Sequence, residues 1–187
     1  MRTRREQMAS RRRSPSLDYL EGRNLLSVAV SPPPEVARLL HVVPFVAKET
    51  LTSRTSTPVS SDTVLVTNTS TGHGTPLGRK FTDTLSVIEP TTPPSGIFVA
   101  ENGTITFKTA NGSSTLTGTF TSPSQFYTDP KTGDEHVAAV DYITITGGTG
   151  EFAGATGQIT RFLNNDITTG TGYSEDFGFI TTASSNT

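Results

Sequence analysis

Five charged residues fall in step with apolar neighbours on runs that alternate in character. In an extended strand successive side chains face opposite ways, so residues two apart share a face. By that parity Arg79 and Asp83 lie with Phe81, Leu85 and Val87, and Asp141 lies with Ile143 and Ile145. Arg161 lies with Ile159 and Leu163, and Glu175 with Tyr173, Phe177 and Phe179. Inside a closed sheet such groups would orient a ligand, with Arg79 or Arg161 meeting an anionic part of it. Two arginines against Asp83, Asp141 and Glu175 also permit the internal pairing that buried ions require. For proton transfer, Glu175 and Asp141 are the candidates. A plainer alternative fits the same spacing: the charges sit at the mouths of the sheet, or a bulge inverts the parity before each.

Other chemistries find little support. His41, His73 and His136 are scattered, and no pair has metal-ligand spacing on one element, so no metal site is expected. Asp129, Asp134 and Glu135 lack the spacing of a calcium loop and read as an exposed acidic loop. No Gly-x-Ser-x-Gly elbow is present to activate a serine. Gly147-Gly148-Thr149-Gly150 lacks the lysine of a phosphate loop and reads as a turn. With no cysteine there is no thiolate nucleophile and no disulfide. No cofactor is implied.

The elements that would hold these residues are strands. From Asp141 to Phe162 an alternating run stops at a glycine-rich corner and resumes, which reads as strand, tight corner and returning strand. Further strands are expected at 62–67, 79–88, 97–100, 104–108, 114–121, 137–146, 158–163 and 173–181. Asn68 to Gly74 would end the first, and 122–134 would be a polar loop. Asn102-Gly103 and Asn111-Gly112 each read as a two-residue hairpin turn. Eight short strands without a convincing helix argue for an all-β fold, a single eight-stranded antiparallel barrel or sandwich. Phe81, Phe107, Phe120, Tyr142 and Phe177 are the candidate interior residues, able to contact a ligand or simply to fill a core.

In this order, Gly78-Arg79-Lys80-Phe81-Thr82, then Phe107 to Gly112 with Leu116 to Phe120, then Ile145 to Gly157 with its GGTGEFAGATG run, resemble a bacterial family of small secreted barrels. That family is similar to allene oxide cyclase and plant dirigent proteins. The resemblance covers about 60–183 and implies a calycin-like barrel whose plant members act on or steer small hydrophobic molecules, often as dimers or trimers. No functional residue of the family maps onto this chain.

The N-terminal part differs in kind. Residues 1–24 carry seven arginines against Glu6, Asp18 and Glu21, whereas the rest holds eight basic and fourteen acidic residues. An acidic, threonine-rich body is a poor nucleic-acid binder. No run approaches the roughly 18 apolar residues of a membrane-spanning helix. Leu20 to Ser27 (LEGRNLLS) resembles the LExRxLLS segment near the N-terminus of many extracytoplasmic planctomycete proteins, although a short amphipathic helix over 17–26 would fit as well. The expected organisation is a basic targeting-like segment at 1–30, a Pro/Thr/Ser-rich linker at 31–59 and a barrel at 60–187. Together these features describe an extracytoplasmic barrel, a binding or structural module rather than an enzyme, with a small hydrophobic ligand inside. Arg79, Asp83, Asp141, Arg161, Glu175, Phe81 and Tyr142 would contact that ligand. An isomerase or cyclase, and a surface protein that assembles through an oligomeric face, are the alternatives.

Overall fold

A computed structural model describes residues 41–92 and 98–182. Eight strands make up nearly all of it: β1 (Val42–Pro58), β2 (Thr63–Thr75), β3 (Gly78–Pro90), β4 (Phe98–Thr109), β5 (Thr115–Thr128), β6 (Glu135–Thr149), β7 (Thr156–Asp166) and β8 (Thr171–Thr181). Each pairs antiparallel with the next in sequence, and β8 pairs back onto β1 to close a barrel. Threonine and serine recur on the outward positions of these strands, where a β-branched or hydroxylated side chain suits a solvated pleat. Closure gives every strand a paired neighbour on both sides, although β3 and β4 pair only over Phe81–Val87 and Gly103–Thr109.

The inward positions divide the barrel into two halves. Towards the end where β1 begins and β8 finishes, Phe45, Phe81, Phe107, Leu116, Ile145 and Ile180 are buried and packed together. The Phe45 and Phe107 rings lie 5.2 Å apart, and Phe81 meets Phe107 edge-on at 6.1 Å. A 3₁₀ turn at Gly150–Phe152 sends Phe152 into this end as a plug, with Ala155 beside it. The glycine-rich corner is thus the lid of the apolar half. A Cβ on Gly148 would lie 2.6 Å from the Phe152 carbonyl oxygen, so only glycine lets the corner fold back this closely. In the other half the inward positions are largely polar, with Asn68, Ser70, Ser122, Ser124 and Asn165 buried.

Eight strands are the number expected, but the eight are not the same set. Residues 42–58, read as linker, form β1, whose inward Phe45, Ala47, Glu49 and Leu51 alternate with exposed positions. The boundary near residue 60 is therefore corrected: the barrel begins at Val42. Threonine and serine suggested a tail there, yet on a barrel exterior they suit a strand equally well. Residues 1–40, including the 1–30 segment, lie outside the described residues.

Conversely, 97–100 and 104–108 belong largely to one strand, because β4 runs straight through Asn102-Gly103. Gly103 is needed for space rather than for a turn: an added Cβ would meet the Phe120 ring at 2.5 Å. A turn does form at Asn111-Gly112, but within a five-residue connection, 110–114, between β4 and β5 rather than as the two-residue hairpin expected: Gly112 has φ 70°, while Asn111 is not among the residues with positive φ. β2 continues through Asn68 to Thr75, and β5 extends to Thr128, so the polar loop shrinks to the short connection before β6.

Two outcomes check this architecture. A chain starting after residue 59 should lose cooperative thermal unfolding, because removing β1 bares the edges of β2 and β8; a chain starting at residue 41 should retain it. Phe107→Ala should cost about 3–5 kcal/mol in denaturant unfolding, and a loss below about 1 kcal/mol would show that the aromatic trio does not anchor the core.

Candidate functional site

One guanidinium organises the polar half. Asp141, Arg161 and Asp176 occupy facing register positions on β6, β7 and β8, so their side chains enter the lumen in one row. Arg161 is 2% exposed. Its Nε donates to Asp176 Oδ1 at 2.8 Å, and its Nη2 donates to Asp176 Oδ2 at 3.0 Å and to Glu49 Oε1 at 2.7 Å. Its Nη1 donates to Asp83 Oδ2 at 2.9 Å, reaching across the lumen to β3. Four of the five N–H donors of the fork are thereby engaged, and the guanidinium carbon lies 5.4 Å from the centroid of the Phe107 ring. Arg161 has little left with which to receive an external anion. It is a crosslink between opposite walls.

Burial would favour release of the Arg161 proton, but the carboxylates of Asp176, Glu49 and Asp83 hold it firmly in place. Among those carboxyls, burial pushes Glu49 well above the usual range, outweighing the pull of Arg161, with the negative Asp176 and Asp83 adding to the rise. Three carboxylates round one charge exceed neutrality, and Glu49 is the group that burial drives towards the protonated acid. Ser174 Oγ donates to its Oε2 at 3.2 Å.

A second polar group lies further along the lumen. Glu101 Oε2 accepts from Ser124 Oγ at 2.6 Å, and Ser124 is linked to Ser122 at 3.1 Å. Arg54 donates to Glu89 Oε2 at 2.6 Å. Asp141, Glu101, Ser124, Glu89 and Arg54 line a void of about 20 Å³, walled also by Phe120 and Val137. Asp83, Ser70 and Arg161 border another of about 10 Å³. Burial raises Asp141 to about 6 despite the opposing pull of Arg161. It raises Glu101 to about 7, partly offset by the Ser124 hydrogen bond. The arrangement can hold and release protons near neutrality. The two voids have room for about one water each.

Of the residues expected at a site, the fold brings Asp83, Arg161 and Asp141 together. Phe81 is buried in the apolar half and lines neither void. Three others lie elsewhere. Arg79 is exposed at the start of β3, before the strand enters the core. Glu175 faces outward and pairs with Lys48 at 2.7 Å, both side chains being well exposed. Tyr142 is 54% exposed. The parity of β8 is inverted from expectation because its aromatic face, Tyr173, Phe177 and Phe179, lies outside, while Ser174, Asp176 and Ile180 lie inside. Phe177 is accordingly half-buried against Phe162 on the exterior rather than in the lumen. Phe107 and Phe120 are interior, as expected.

Glu49, Arg54, Glu89, Glu101 and Asp176 belong to the cluster but escaped the sequence reading. The alternation Phe45, Ala47, Glu49, Leu51 was the available signal for the first. Asp176 was hidden by the aromatic character of its neighbours. Among the described residues no three acidic or histidine side chains converge as a metal site.

Arg161→Met should destabilise the fold by about 3–5 kcal/mol, because it leaves buried carboxylates without their counter-ion; a change under about 1 kcal/mol would refute the crosslink. The raised carboxyls also fix a pH dependence. Between the ordinary carboxylate range and about 7 the folded chain binds more protons than the unfolded one, so stability falls as pH rises through that window. Thermal midpoints should therefore be higher near pH 5 than near pH 8, and a flat or rising profile would contradict the assignment. No family model, curated protein or solved structure matches this chain.

Proposed function

We propose that the protein is an extracytoplasmic barrel of the allene-oxide-cyclase-like and dirigent-like kind, working as a non-catalytic structural module that associates through its outer wall. The carrying observation is a stripe of aromatic and aliphatic side chains on the outside of β1, β8, β7 and β6. Val46, Phe177, Thr160 and Tyr142 occupy one register row across these strands. Phe179 and Phe162 lie on the rows to either side, and Phe162 packs edge-on against Phe177 at 6.5 Å. Val46, Tyr142, Phe162 and Phe179 are each more than 40% exposed. Adjacent exposed apolar groups with a polar rim mark association surfaces, and Lys48 and Glu175 supply such a rim.

The interior supports this reading from the opposite side. Sites for small molecules enclose roughly 300–1,000 Å³, whereas, among the described residues, the voids bordered by Asp141 and by Arg161 measure about 20 and 10 Å³. Among the described residues, neither void leaves room for a hydrophobic ligand beside Asp141 or Arg161. Export is supported by the LExRxLLS-like segment at 20–27 and its upstream arginines.

Sedimentation and native mass spectrometry of the full chain test the assignment. A dimer or trimer at micromolar concentration is expected, converted to monomer by Phe162→Glu or Phe179→Glu with the thermal midpoint kept. A monomeric wild-type chain that co-purifies with a stoichiometric small molecule would overturn it in favour of a ligand barrel.

A further inference from the structure

The chamber in the polar half of the lumen, walled by side chains of β1 to β7, combines three independent features. The first is its charge. Six buried carboxyls (Glu49, Asp83, Asp176, Asp141, Glu101 and Glu89) share the polar half with two arginines, Arg161 and Arg54. Buried charge of one sign without a partner is costly, so an excess of this size calls for protons or a counter-cation.

The second feature is a pair of unanswered acceptors. Asp141 is 1% exposed, and its Oδ2 receives no hydrogen bond from any protein group. Glu101 is 6% exposed, and its Oε1 is likewise without a donor. Buried polar atoms are otherwise almost always satisfied, so two such oxygens bordering one void point to a guest that donates or coordinates.

The third feature is size and ligand type. The void measures about 20 Å³, room for a single water-sized species, and Ser124, Asn68 and Asn165 add side-chain oxygens to its walls. Oxygen donors suit hard cations. Calcium would require six to eight oxygens with several carboxylates converging, whereas only Asp141 and Glu101 bring unbonded carboxyl oxygens to this void, Glu49, Asp83 and Asp176 being bonded to Arg161 and Glu89 to Arg54 among the described residues. That leaves an ion of single charge.

We infer that the chamber bordered by Asp141, Glu101 and Ser124 is a binding site for a water-sized monovalent cation such as potassium or ammonium. The cation takes the two free carboxyl oxygens and offsets the excess negative charge of the lumen. The charged groups facing it are Arg54 and Glu89 on one side and Arg161 with its carboxylates on the other, so the site competes with protons. Uptake of the cation releases protons from Asp141 and Glu101. The inference does not depend on the association surface on the outer wall.

The test is a salt series on the full chain at near-neutral pH, where the two carboxyls still hold part of their protons, and at constant ionic strength. Thermal midpoints are compared in lithium, sodium, potassium, ammonium and choline chlorides, and proton release on salt addition is followed by pH-stat titration. Potassium or ammonium at about ten times its dissociation constant should raise the midpoint by about 3–6 °C relative to choline, with measurable proton release. Asp141→Asn and Glu101→Gln should each fold, with midpoints at or above the parent, and should lose that cation response. Equal midpoints in all five salts without proton release would overturn the site, leaving a chamber that holds water and protons. So would a size-selective response that survives in both variants. Should the variants fail to fold, the salt series and proton release on the parent chain still decide the matter.

Discussion

Arg161 holds together walls that the sheet itself joins only the long way round. Its partners come from the adjoining strand β8, from β1 beyond it and from β3 on the far side. Backbone pairing fixes each strand against its two neighbours but leaves the lumen's cross-section free to flatten. A planar fork bonded to three carboxyls in three directions sets that cross-section. Lysine could not replace it, because a point charge on a flexible stem has neither the planar geometry nor the number of donors. The cluster is costly to bury, and a hydrophobic filling of the same volume could be as stable or more so. Its presence is best understood as specification of one closed shape, with the surplus of carboxyls as the chemical remainder.

Space inside the apolar half is allotted with equal care. Eight strands give an interior just wide enough to be filled by side chains, and phenylalanines fill it only where the opposing position gives way. Gly103 yields to Phe120, and Gly72 yields to Phe81, whose ring tip would lie 2.6 Å from an added Cβ. These exchanges join residues remote in sequence, so each glycine is dictated by a partner that local reading does not reveal.

That explains what was legible and what was not. The all-β class, the count of eight and the inward parity of Asp83, Asp141 and Arg161 follow from alternation, which is a local property. The identity of the strands was less secure. Thr50 to Ser61 has a composition shared by linkers and by the outer face of a barrel, so β1 was concealed. Asn102-Gly103 has a turn signature, yet the surrounding pairings carry β4 through it. In β8 both faces bear large residues, and the aromatic set seemed the natural interior. Only closure against β1 and β7 decides that Asp176 faces in and Phe177 out. Sequence parity recovers faces where one side is plainly polar, and it fails where an exterior is built to be sticky.

The meander has a temporal consequence. Seven of the eight strand pairings join consecutive strands, and the eighth joins β1 to β8. On a ribosome the first six can zip as the chain emerges, whereas the β7–β8 and β8–β1 pairings must wait until Thr171–Thr181 appears. Glu49 and Arg161 are 112 positions apart, so their bond also belongs to the end of synthesis. Until then the row of acids lies open to water as an ordinary solvated surface, its charges harmless. The act of closing removes that water all at once, and the electrostatic burden of the lumen is met in a single late event.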